Sequence, residues 1–402
     1  MFQWKRNLYV SWLTQILSMT GFGFMMPFIP LYIQQLGVTA EGDLRFWVGM
    51  ISAVPNLAMG IMAPLWGILS DRLGRKLMIL RAMLFGTIIV GCMALARNVA
   101  TVFILRIAQG LFTGTITAAA TLVAAGTPRH KMSSALGLLS SSTFIGFSLG
   151  PFVGGVAAEV FGFRVSFLIG GFVILCGFFL ALIFIKEPKS SEGSSRPHKV
   201  KTSLRLLFSA PFGILFVIIF MERFSRMLPQ PFMALYVQQL LATPRGVSAI
   251  TGTISAAAGL ATAIAGLTLT RLGDKYDKGL LLAIFFAAAA VTALPIVLKE
   301  NLIWFTGFYL VSIYFIGAVN PLLQSQLSTL THPNNRGAVL GLQTSVGGVG
   351  WFFSPLAGSA VAIYLDLKYV FLFYALSLLL SLLIPLYLQS KKTKNTNYVE
   401  GG

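Results

Sequence analysis

Of the twelve carboxylates in this 402-residue chain, one is placed where gaining or losing a proton could drive something else. Glu222 lies about eleven residues, roughly 16 Å of helix, into a long apolar run, with Arg223 beside it and Arg226 one turn on. Desolvation there disfavours the charged carboxylate and a nearby guanidinium favours it, so a proton or a cationic ligand could tip the balance. A static ion pair along one helix face accounts for the same three residues, and both readings stay open. Arg106 is the other conspicuous charge, about five residues or ~8 Å into a different apolar run. An ionised group at that depth must face the protein interior, a partner or water. Gln109 and Gly110, at i+3 and i+4, place a hydrogen-bonding group and a gap on its face.

These runs dominate the chain. It is 56% hydrophobic and 10% charged, with a mean hydropathy of +0.81, far too apolar to hide its surface in a water-soluble core. A ~30 Å hydrocarbon layer needs roughly 20 helical residues. The sequence predicts twelve such spans, near 8–33, 47–69, 77–96, 101–126, 134–158, 164–185, 211–236, 247–270, 279–298, 303–330, 337–364 and 369–388. The runs are continuous rather than alternating, which excludes a strand barrel and leaves an all-α membrane protein. The net charge of +18 reads as topology. Twenty Lys and Arg residues fall on the side that holds both termini and six on the other, so both termini are expected in the cytoplasm and nucleic-acid binding is not. The first run is too long for a cleavable leader and is expected to stay. Cys92 and Cys176 fall inside spans and are expected to be buried thiols. No catalytic triad, zinc or phosphate-loop spacing occurs, so neither an enzyme nor a bound cofactor is expected.

The text is written twice. "LYIQQL" at 31–36 returns as "LYVQQL" at 235–240, and "ALGLLSS" at 135–141 as "VLGLQTS" at 339–345, both 204 residues on. The halves are a six-helix bundle at 1–185 and another at 211–390, joined by a polar, basic linker at 186–210 and followed by a tail at 391–402. Two repeats around a midplane cavity are suited to alternating access by rocking. Candidate cavity residues are Gln15, Phe22, Met26, Tyr32, Asn56, Gln109, Phe112, Arg226, Met227, Gln230, Tyr236, Asn320 and Gln324, since aromatic and Met surfaces accommodate varied apolar shapes.

Two motifs narrow the class. Residues 67–76, "GILSDRLGRK", require a tight turn helped by Gly74, with Asp71, Arg72, Arg75 and Lys76 available to pair with helix ends. "GFSLGPFVGG" at 146–155 sets Gly146, Gly150 and Gly154 on one face, where a second helix can come close, and Pro151 removes the donor to the carbonyl of Phe147. Gly155 completes the run, and "GWFFSPLAGS" at 350–359 repeats it.

The order beginning at Gly67 and running through Asp71 to Lys76 resembles the loop signature of the major facilitator superfamily, with a degraded copy at 270–279. "LRIAQG" around Arg106 and the 146–155 stretch resemble the span-four and antiporter motifs of its drug:proton antiporter branch, and the N-terminal text resembles MdtG-type bacterial multidrug efflux proteins. The resemblance implies a two-bundle fold in a bacterial inner membrane that exports lipophilic drugs against protons without a cofactor. It also implies a proton-coupling role for Arg106 and a tight seal between spans five and eight. A functional monomer is expected. Some relatives carry an acid in span one, where this chain has Ser18, which puts the coupling site at Glu222 or makes the mechanism different. Transport of one specific metabolite or lipid, and a non-transporting receptor, are the alternatives.

Overall fold

The computed structural model describes residues 3–128, 131–187, 210–243, 245–330 and 336–400, with side chains except at Pro64, Asp71, Ser133, 210–212, 328–330, 336–338, 340–341 and 386–400. The described residues form fifteen α-helices and no strand. They are α1 (Gln3–Gly23), α2 (Ile29–Gln35), α3 (Glu41–Leu73), α4 (Arg75–Ala94), α5 (Val99–Phe112), α6 (Thr115–Gly126), α7 (Met132–Phe184), α8 (Ala210–Met227), α9 (Met233–Leu241), α10 (Val247–Thr268), α11 (Lys278–Ala293), α12 (Leu302–Gly317), α13 (Val319–Leu330), α14 (Arg336–Tyr364) and α15 (Leu367–Glu400).

Ten helical stretches among the described residues are long and apolar enough to cross a membrane. One of them, Ser134–Phe184, is 51 residues long. It carries non-helical dihedrals at Gly162 (φ 80°, ψ 163°), which separate spans five and six. Span seven is outside the ten: its opening helix α8, 18 residues long, holds three charges, Glu222, Arg223 and Arg226.

Several spans drawn as single helices from sequence are broken. Span one bends through a 3₁₀ turn at Met26–Phe28, led by Pro27. Span four is interrupted at Thr113–Gly114, where Gly114 adopts φ +124°. Apolar periodicity does not register such breaks, because the residues on either side remain apolar.

The described residues cluster into two compact units, those of Met1–Ser194 with Met233–Gly259, and those of Ser195–Phe232 with Leu260–Gly402. The segment 233–259, second-half by the repeat, packs in the first unit. A Cβ on Gly252 would strike the carbonyl of Pro151, and one on Gly155 would strike that of Ser248. The expected seam is therefore double. Gly146, Gly150 and Gly154 face span one, where a Cβ on Gly150 would lie 2.6 Å from the Thr20 carbonyl and 2.7 Å from Gly23 Cα. Pro151 and Gly155 face span eight.

The thiols are not both buried as expected: Cys92 is half-buried and Cys176 is exposed on the outside of its helix. Membership of a span fixes depth, whereas which way the residue faces depends on the neighbouring helices.

Candidate functional site

The tight turn at Gly74 is as the sequence requires. Gly74 has φ +98° and joins α3 to α4 directly, and a Cβ there would come 3.2 Å from the Glu187 carboxylate. That carboxylate caps the start of α4, accepting from the backbone N–H of Arg75 at 2.9 Å and of Lys76 at 2.8 Å, while the Lys76 amine donates to the Leu182 carbonyl at 2.8 Å. A negative group at a helix N-terminus satisfies orphan donors and meets the positive end of the dipole. Sequence reading left Glu187 to the linker, and a lone acid far from 75 in sequence carries no signal of this role. Gly67 has nothing within 4 Å of a notional Cβ. Arg72 lies in the last turn of α3, and Asp71 lies in that helix with its side chain outside the described set.

Arg106 is 3% exposed. Its Nε donates to the Ile51 carbonyl at 3.0 Å and an Nη donates to Gln109 Oε1 at 2.6 Å. Gly110 lets α5 close on α3, since a Cβ there would meet Pro55 backbone and lie 2.7 Å from Ala58 Cβ. The expected gap is thus filled by span two, and Arg106 ties span four to it.

Glu222 is 1% exposed, in the second unit. Its Oε2 is 3.3 Å from Arg223 Nε and its Oε1 is 3.7 Å from an Arg226 Nη. Oε1 is buried and accepts no hydrogen bond. Arg226 also donates to Thr262 Oγ1 at 3.2 Å, and the Arg223 guanidinium lies 4.8 Å from the Trp351 ring centroid. One carboxylate therefore sits between two guanidinium groups. Ser18, its counterpart in the repeat, is fully buried and donates to Thr115 Oγ1 at 3.3 Å.

The cavity candidates divide. Gln15 and Phe22 are buried, and Phe22 lies under Gly86, 3.0 Å from a notional Cβ. Tyr32 is buried in the first unit, its hydroxyl donating to the Met93 carbonyl at 2.8 Å, which is a packing role. Tyr236 is likewise fully buried. Met26 is 38% exposed, Asn56 donates to the Ser52 carbonyl at 3.0 Å, and Phe112 stacks on Phe85 at 4.6 Å. In the second unit Met227 and Asn320 are half-buried, and Gln230 and Gln324 are exposed. Arg81, Trp66 and Phe85, passed over in the sequence, form a cluster with Phe112.

The sequence profile of the Major Facilitator Superfamily matches residues 11–355, through both halves of the repeat, and again 215–401, in the second half. The chain is 32% identical over 370 residues to the "Multi-drug resistance efflux pump PmrA homolog" of Lactococcus lactis, covering 91% of this chain and 90% of that protein. It is 34% identical over 377 residues to "Multidrug resistance protein MdtG" of Escherichia coli, covering 92% and 91%. Among solved structures it superposes on the nucleoside transporter NupG with a TM-score of 0.79 at 15% identity, covering 95% of this chain and 99% of that one. On an inward-facing bacterial homolog of the human lysosomal transporter Spinster the TM-score is 0.78 at 14%, covering 96% of each. The repeated halves, the 67–76 turn and this end-to-end match agree: the chain belongs to the major facilitator superfamily.

Proposed function

We propose that this protein is a secondary active multidrug efflux transporter, exporting lipophilic or amphipathic compounds in exchange for protons by alternating access. The observation that carries the reading is the match over nine-tenths of its length to two differently named multidrug resistance proteins. The coupling step is assigned to Glu222, because it is the acid among the described residues held 1% exposed between two arginines. Protonation would release Arg223 and Arg226 from it, and a change in net charge at depth shifts the balance between two conformations. Arg106 supports the exchange by holding span four to span two. The protein sits in the bacterial inner membrane with both termini in the cytoplasm, acts as a monomer, and uses the proton gradient with no cofactor. Contact with nucleic acid forms no part of this reading.

Inverted membrane vesicles carrying a fluorescent cationic dye and a pH probe test direction, breadth and coupling together. The wild-type protein should accumulate dye and release protons as dye enters. Glu222→Gln should abolish proton-driven accumulation at an unchanged level of protein in the membrane; full antiport by that variant would sink the assignment.

A further inference from the structure

The break in span four is flanked by an arginine that neither the coupling reading nor the fold uses up. Arg81, on α4, lies flat over Trp66, its guanidinium 3.4 Å from the ring centroid. One Nη reaches the Thr113 carbonyl only at 3.5 Å, the limit of a hydrogen bond. Nε and the other Nη are buried and have no hydrogen-bond partner, and no carboxylate pairs with the group among the described residues. The side chain as a whole is half-buried.

The surroundings are chemically divided. On one side Trp66, Phe112 and Phe85 form a continuous aromatic wall, with centroids at 6.5 and 4.6 Å, and the Trp66 indole is fixed by its bond to the Leu111 carbonyl at 2.7 Å. On the other, span four restarts at Thr115 after Gly114, so the first N–H groups of the 12-residue helix α6 adjoin Thr113. Broken helices of this kind offer their N-termini to anionic groups in transporters. A guanidinium fork left with two unused donors at membrane depth fits one group in particular, a planar carboxylate or a phosphate bound through two oxygens.

We propose that Arg81, Trp66, Phe85, Phe112 and the start of α6 form a subsite for an amphipathic anion, with its acidic group on Arg81 and its apolar body along the aromatic wall. The donors are buried in this structure, so the acid must part the side chains around them and displace the long contact to Thr113. The subsite rests on the transport reading only for its purpose, since binding itself needs no gradient. The anion is either a transported acid or the headgroup of an anionic lipid.

Binding of dodecanoate, with dodecanol as the uncharged control, is measured by calorimetry on the purified full chain in nanodiscs. In phosphatidylcholine discs dodecanoate should bind, and Arg81→Gln should weaken it by about tenfold or more while leaving dodecanol unchanged. Arg81→Lys, which keeps the charge and loses the fork, should fall between the two and guards against a variant that does not fold. Equal dodecanoate affinity in wild-type and both variants overturns the subsite. Adding phosphatidylglycerol separates the sources: competition without dodecanoate flux in inverted vesicles assigns the site to lipid, and Arg81-dependent flux assigns it to a transported acid. Dye export without Arg81-dependent dodecanoate binding overturns the subsite alone. Binding without any export overturns the efflux reading and leaves the subsite standing.

Discussion

Four guanidinium groups and one carboxylate are embedded in the spans, and their partners separate their roles. Arg106 is held by neutral oxygen atoms of Ile51 and Gln109, which stabilise the charge without supplying a proton acceptor. Arg223 and Arg226 share Glu222, whose Oε1 is buried and accepts no hydrogen bond. Under the proposed exchange, Glu222 is the group that takes up and gives up the proton. A different residue-level demand falls on Gly74, whose φ of +98° and ψ of 150° lie in a region almost restricted to glycine. Gly74→Ala should destabilise the protein by about 1–3 kcal/mol, read as a lower thermal unfolding midpoint in detergent. The Glu187 carboxylate, 3.2 Å from the new Cβ, should lose its grip on the start of α4, so Glu187→Ala in the same background should add less than it does alone.

At the scale of elements, the repeat solves the same contact in two ways. In the first half, Gly150 of span five presses against the Thr20 carbonyl of span one. In the second half, 204 residues on, Ser354 of span eleven donates a hydrogen bond to the Phe224 carbonyl of span seven at 2.6 Å. A serine hydroxyl can bond such a carbonyl where the backbones stand slightly further apart, whereas glycine allows direct approach. Gly150→Ser puts its Cβ 2.6 Å from the Thr20 carbonyl and 2.7 Å from Gly23 Cα, so spans one and five must part for it, and transport should fall several-fold or more. Gly150→Leu has no room against Thr20 and Gly23 and should lose transport through misassembly of spans one and five. Flux per molecule of folded protein, with folding judged by monodisperse elution, reads both variants; wild-type flux in both would show that the close approach is not needed. Pro151 and Gly155, turned to span eight, belong to a separate seam, so bulk added there tests sealing rather than the assembly of spans one and five.

For the whole molecule, topology follows from charge. Twenty of the thirty basic residues lie on the side assigned to the termini, and the cost of moving such segments across a membrane supports the proposed cytoplasmic placement of that side. A green fluorescent protein fused after Gly402 should fluoresce, and an alkaline phosphatase in the same place should be inactive; the opposite pattern would reverse the orientation.

The sequence by itself determined the class, the spans and the doubling of the halves, because apolar runs, charge asymmetry and a constant offset are properties of the text alone. It also determined that Gly74 must turn and that Glu222 is the embedded acid. Tertiary structure alone decided which neighbour each residue meets. Gly146, Gly150 and Gly154 could be placed on one face from their spacing, yet that this face meets span one while Pro151 and Gly155 meet span eight depends on how the helices are arranged around span five. Tyr32 read as a cavity residue, because an aromatic residue in a span looks the same whether it lines a cavity or bonds a carbonyl of the next helix. Glu187 and Arg81 were missed for the same reason: their partners lie far along the chain, and no local pattern records a contact made only when helices pack.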